Sequence, residues 1–133
     1  MSFIHSAAGA AALAITLLAR TVGADAAAGD YRFELVGNPE AAGGKSIVAV
    51  RLTHAPDGKP VAGAVIIQTR ADMGPDGMKK MTAPVKALPP KDPSVYRFEI
   101  EPGMAGGWML TLAAKVQGEA ETVRGSVTVK LAK

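Results

Sequence analysis

From Tyr31 onward the chain alternates apolar and polar residues with a period of two, the pattern of strands that bury one face. The clearest runs lie in the second half. "SVYRFEIE" sets Tyr96, Phe98 and Ile100 inward against Arg97 and Glu99. "WMLTLAAKV" sets Trp108, Leu110, Leu112, Ala114 and Val116 inward. "TVRGSVTVKL" does the same with Val123, Gly125, Val127, Val129 and Leu131, leaving Arg124, Ser126, Thr128 and Lys130 outside. Earlier, "YRFELV" predicts a first strand, and "KSIVAVRLTH" a second with Val48, Val50 and Leu52 on one face. "VAGAVIIQTRADM" predicts a third, with Val65, Ile67 and Thr69 opposite Ile66, Gln68 and Arg70. "MTAPVKAL" predicts a short fourth strand, and its Pro84 suits a sheet edge, where a missing N–H costs no ladder bond.

Turn residues fall between these runs: "GNPEAAGGK", "APDGKP", "GPDG", "LPPKDP", "EPGMAGG" and "QGE". About seven short strands at regular spacing, with no helical period, predict an all-β fold: an immunoglobulin-like β-sandwich. In such a sandwich successive strands mostly alternate direction. The loops after the first, third and fifth strands should therefore gather at one end. His54, after the second, should lie at the other.

The first stretch, "MSFIHSAAGAAALAITLLARTVGADA", reads differently. Ala7 to Ala19 is apolar or small apart from Thr16, too short for a comfortable membrane span, and Ala24-Asp25-Ala26 fits a small-x-small cleavage site. Residues 1–26 are expected to be a signal peptide and residues 27–133 the exported domain. The n-region is weak, with only the terminal amine and His5 and no Lys or Arg; the rival reading is a retained N-terminal anchor, and membrane association is expected only if the segment is retained. The protein has no cysteine, so neither a disulfide nor a thiolate site is available to it.

Charge and residue inventory narrow the function. The net charge is +3, but the basic residues are scattered singly except Lys79-Lys80, and aromatic residues are few. That is not the basic stripe with stacking platforms of a nucleic-acid binder. Beyond residue 26 there is one histidine, His54, and the serines are Ser46, Ser94 and Ser126, with nothing in their spacing to bring a nucleophile and base together. Glu99 and Glu101, like Glu119 and Glu121, share exposed strand positions and read as a solvated face. "GMAGG" precedes no helix, so it is a turn rather than a phosphate loop. Asp72 and Asp76 lack calcium-loop spacing and read as charge balance for Lys79 and Lys80. An enzyme is not expected.

The remaining candidate chemistry is sulfur. "ADMGPDGMKKMTAPV" carries Met73, Met78 and Met81, and Met104 lies in the loop after the fifth strand. Thioethers are soft ligands that stay unprotonated and form no disulfides, which suits Cu(I) in an oxidising compartment. Methionine is equally a filler of irregular core gaps. Local sequence favours packing; convergence of the two loops at one end brings a four-thioether site level with it. Two lysines beside a bound cation would oppose binding, so a metal site requires Lys79 and Lys80 to turn away.

The run from "MTAPVKALPPKDP" through "GMAGGWMLTLAAKV" to "SVTVKL", with "DGKPVAGAVI" upstream, resembles the YtkA-like, or FixH-like, family of small exported bacterial domains. The passage around Met104, Gly107 and Trp108 is its most specific part. The resemblance implies an immunoglobulin-like fold, a periplasmic location and a role beside copper or heavy-metal efflux components. It also implies a methionine-rich loop, matched here by Met73, Met78 and Met81. The expectation is an accessory domain that binds Cu(I). The alternative is a metal-free protein-interaction module of a membrane complex, docking through loops or an edge strand.

Overall fold

The alternating runs become strands because each can bury its apolar face only against a second sheet. The structure, a computed structural model, describes residues 28–132. After a 3₁₀ turn at Ala28–Asp30 come β1 (Tyr31–Leu35), β2 (Glu40–Ala42), β3 (Lys45–His54), β4 (Lys59–Pro60) and β5 (Val65–Met73). A 3₁₀ turn at Gly74–Asp76 leads to β6 (Met78–Ala83), β7 (Val85–Leu88), β8 (Val95–Ile100), β9 (Gly106–Lys115) and β10 (Val123–Leu131). The segment expected to be a signal peptide, residues 1–26, lies outside the described residues. Among the described residues no helix is long and apolar enough to cross a membrane.

Two antiparallel sheets form a sandwich. One has the order β1-β3-β8-β7, with β2 and β4 also paired to β3; the other has the order β10-β9-β5-β6. Between them lie Phe33, Val48, Val50, Leu52, Phe98 and Ile100 from the first sheet. Trp108, Leu110, Leu112, Ala114, Val123, Val127, Val129 and Leu131 face them from the second. These are the inward faces that the period-two pattern assigns. At Gly125 a side chain has no room: a Cβ there would stand 2.7 Å from the Phe33 ring, so glycine lets β1 close over β10.

Three local features differ from the sequence pattern. "MTAPVKAL" is two strands: β6 is the edge of one sheet and β7 the edge of the other, and Pro84 stands at the crossing. Proline cannot continue a ladder, and its carbonyl accepts a bond from the Glu101 N–H at 3.2 Å as the chain enters the second sheet. The third strand begins at Val65 rather than Val61 and carries a bulge. Ile66 faces Ala114 and Gln68 faces Ala113, so Ile67 is left over and half exposed. The extra residue resets the phase, and Ala71 and Met73 then follow Ile66 inward. The short strands β2 and β4, which carry no apolar alternation, complete ten strands among the described residues, where about seven were expected.

Candidate functional site

The 3₁₀ turn after β5 is built by two carboxylates. Asp72 is buried; it accepts a bond from the Gly74 N–H at 2.8 Å and from Arg70 Nε at 3.1 Å. Arg70 Nη2 reaches on to the Lys79 carbonyl at 3.1 Å, tying β6 to β5. Asp76 accepts a bond from the Gly107 N–H at 3.0 Å, so the methionine-bearing turn is clasped to the start of β9. Sequence reasoning read both aspartates as partners of Lys79 and Lys80; they instead satisfy backbone donors. The Asp72-Met73-Gly74 spacing of an Asx turn was the signal that pointed there.

Glycine makes the clasp possible. At Gly106 (φ 148) an added Cβ would collide with the Asp76 carboxylate and stand 2.7 Å from Met73 Cε. At Gly107 it would lie 3.1 Å from Pro75. Just behind, the Trp108 indole N–H donates to the Met104 carbonyl at 3.1 Å, fixing the loop that carries Met104. The loops after the first, third and fifth predicted strands thus share one end of the sandwich, as the alternation of strands requires.

The four candidate thioethers divide there. Met73 is fully buried and belongs to the core. Met78, Met81 and Met104 are 38%, 40% and 41% exposed. Met78 pairs in register with Met73, but the next pair is Thr82 with Asp72, so the residues between them arch outward. Gly77, Met78, Lys79, Lys80 and Met81 line one open depression. The two lysines thus share the depression's wall with the methionines, where an irregular arch does not segregate neighbours onto opposite faces as a regular strand does. No group of three or more His, Cys, Asp or Glu side chains is placed to hold a metal ion among the described residues. Whatever soft ligation this end offers is therefore thioether ligation.

The opposite end holds His54. Its Nδ1 lies 3.1 Å from Asp57, and the Tyr31 ring packs at 5.0 Å between centroids. The Lys59 backbone N–H and His54 hold the Asp57 carboxyl below the usual range. Tyr31 donates to Glu119 at 2.7 Å, and this bond, with burial, pushes the phenol up to about 12. His54 is at the wrong end to join the methionines. A separate cavity of about 300 Å³ opens between the sheets beside β7, walled by Ile66, Leu88, Pro90, Tyr96 and Phe98. The Tyr96 hydroxyl at its side is already bonded to the Val61 carbonyl and the Ala64 N–H.

A two-sheet sandwich whose Gly-Gly-Trp strand start receives the β5–β6 turn is the geometry on which comparison with known proteins bears. The YtkA-like family model matches residues 25–113. The chain belongs to the YtkA-like family. The match takes in the methionine turn, Met104 and most of the Trp108 strand, and ends within β9 before β10. A crystal structure of a DUF4426 family protein from Pseudomonas aeruginosa PAO1 has the same fold, with a TM-score of 0.54 at 14% identity. The alignment covers 77% of this YtkA-like chain and 91% of the other. No curated protein matches the sequence.

Proposed function

We propose that this YtkA-like protein is an exported, periplasmic accessory domain that binds Cu(I) through thioethers at one end of its sandwich and passes the ion to a copper or heavy-metal efflux component. The observation that carries the reading is the exposure of Met78, Met81 and Met104 at a single end. Methionine recruited as core filler is buried, as Met73 is. Three half-exposed thioethers beside a braced turn are instead available to a soft ion. Met73, buried in the core, joins them only if the turn opens. Exchange with a partner suits a shallow, solvent-facing site, since an ion held there can leave by ligand substitution.

The metal-free interaction module is the second reading, favoured by Lys79 and Lys80 sharing the depression with Met78 and Met81. Thermal unfolding with and without Cu(I) separates the two. A ligand that binds only the native state at a hundredfold excess over its Kd stabilises by about 2.7 kcal/mol. For a domain of this size that is a rise in Tm on the order of 10 °C or more. The shift is expected in the wild type and is abolished in Met78→Leu, Met81→Leu, Met104→Leu. Unchanged melting of the wild type at saturating Cu(I) rejects the copper reading.

A further inference from the structure

The two outer faces of the sandwich carry different charge. On the β1-β3-β8-β7 face the signs alternate: Arg51 stands opposite Glu34, Lys86 opposite Glu99, and Lys45 lies 3.5 Å from Glu99. The β10-β9-β5-β6 face is basic throughout. Arg124 and Lys130 stand on β10, Lys115 on β9 and Arg70 on β5, all exposed, with Lys79 and Lys80 at the β6 edge. The strand carboxylate of this face, Asp72, is buried and already engaged by Arg70 and the Gly74 N–H. Between the cations the surface is small and polar: Thr111, Ser126 and Thr128. Lysines at a sheet edge deter edge-to-edge pairing, which accounts for Lys79 and Lys80. It does not account for Lys115 on an interior strand or for the lack of opposing charge across the face.

Apolar side chains lie along the same β5–β6 side. Val65 is 60% and Ile67 50% exposed at one end, and Met78 and Met81 stand at the other. The bulge that leaves Ile67 unpaired is what turns it outward. Cations on a flat face, flanked by exposed apolar side chains, are the two signals that together hold a peripheral protein on an anionic bilayer.

We propose that the β10-β9-β5-β6 face docks on an anionic phospholipid surface, with Lys79, Lys80, Lys115, Arg124 and Lys130 among the headgroup phosphates. Val65, Ile67, Met78 and Met81 lie at the acyl boundary. An acidic protein surface would also satisfy the charges, and the experiment below separates it from the bilayer. Docking this way does not require copper, although Met78 and Met81 belong both to this face and to the thioether end.

Sedimentation of the full chain with vesicles tests it. Phosphatidylcholine vesicles give the baseline, including any contribution of residues 1–26. Vesicles of phosphatidylcholine with phosphatidylglycerol are expected to bind more protein, and the increment should vanish at high salt. Lys79→Gln, Lys80→Gln, Arg124→Gln, Lys130→Gln should reduce the increment in affinity by on the order of a thousandfold, taking each surface cation as about fivefold. Arg32→Gln, Arg51→Gln, on the other sheet, should leave it unchanged. Equal binding to both vesicle types, or equal loss in both variants, overturns the proposal. So does binding to polyglutamate without binding to anionic vesicles, which assigns the face to an acidic protein.

Discussion

Trp108 joins the core to the methionine end, and its replacement separates the two. It is the largest fully buried side chain, and its indole N–H holds the Met104 carbonyl at 3.1 Å. Trp108→Ala removes the whole bicycle from between the sheets. The lost transfer energy and the residual cavity together cost about 3 to 5 kcal/mol. In a domain of roughly a hundred residues each kcal/mol lowers Tm by about 4 to 8 °C, so a fall of at least about 12 °C is expected. Trp108→Phe keeps most of the apolar contact but removes the donor. The Met104 carbonyl sits in a surface loop and can turn to water, so the lost bond costs about 1 kcal/mol, with a comparable amount for the smaller ring. Urea titration gives both values, and an unchanged m-value shows that the unfolded state is the same. A cost for Trp108→Ala below about 1 kcal/mol would refute the assignment of Trp108 as the central packing residue. A Phe variant that matches the Ala variant would show that the bond to Met104, rather than the packing, carries the stability.

Gly106→Ala forces a methyl against Asp76 and Met73 at a backbone angle unfavourable to L-residues, and should cost about 1 to 3 kcal/mol in urea unfolding; no cost would remove the glycine clasp from the account. Tyr31 contributes stability through its bond to Glu119 below the ordinary phenol pKa, and that contribution is lost as pH rises from about 10 through about 12. Melting profiles should therefore fall faster in that window for wild type than for Tyr31→Phe, and parallel profiles would contradict the bond. Lys79→Gln, Lys80→Gln removes two cations from the depression and should raise Cu(I) affinity a few-fold at low salt, an effect that salt erases; a lowered affinity would mean the lysines organise the arch rather than oppose the ion.

The sequence was most legible where strands run uninterrupted through the core. β9 and β10 have a neighbour in register along their length, so the inward set from Trp108 to Val116 and from Val123 to Leu131 follows from alternation alone. Legibility failed where one residue changes the phase or the sheet. The bulge at Ile67 inverts the faces of β5 midway, and a period-two reading has no term for an unpaired residue. Pro84 was expected within one edge strand and instead lies between two, because an edge strand that leaves one sheet for the other looks, in sequence, like a single strand. At the candidate site, the gathering of Met73, Met78, Met81 and Met104 at one end followed from strand direction. Their division into one buried and three exposed thioethers did not, because it depends on the arch between Met78 and Thr82. Asp76 was misread because its partner, the Gly107 N–H, is distant in sequence and is a backbone group, which no charge pattern reveals. The basic face was likewise hidden: cations scattered singly along the chain converge only when β10, β9, β5 and β6 are laid side by side.

The central claim is that exposed sulfur at this end binds Cu(I). Competition against a chromophoric Cu(I) chelator, on wild type and on Met78→Leu, Met81→Leu, Met104→Leu, at pH 7 and pH 5, tests it directly. Leucine keeps the apolar volume and removes only the ligand atom. The wild type is expected to withdraw one Cu(I) from the chelator with similar affinity at both pH values, because thioethers do not protonate as imidazole does. The triple-leucine protein should withdraw none while melting like the wild type without copper. Equal competition by the two proteins, or none by either, would contradict the account.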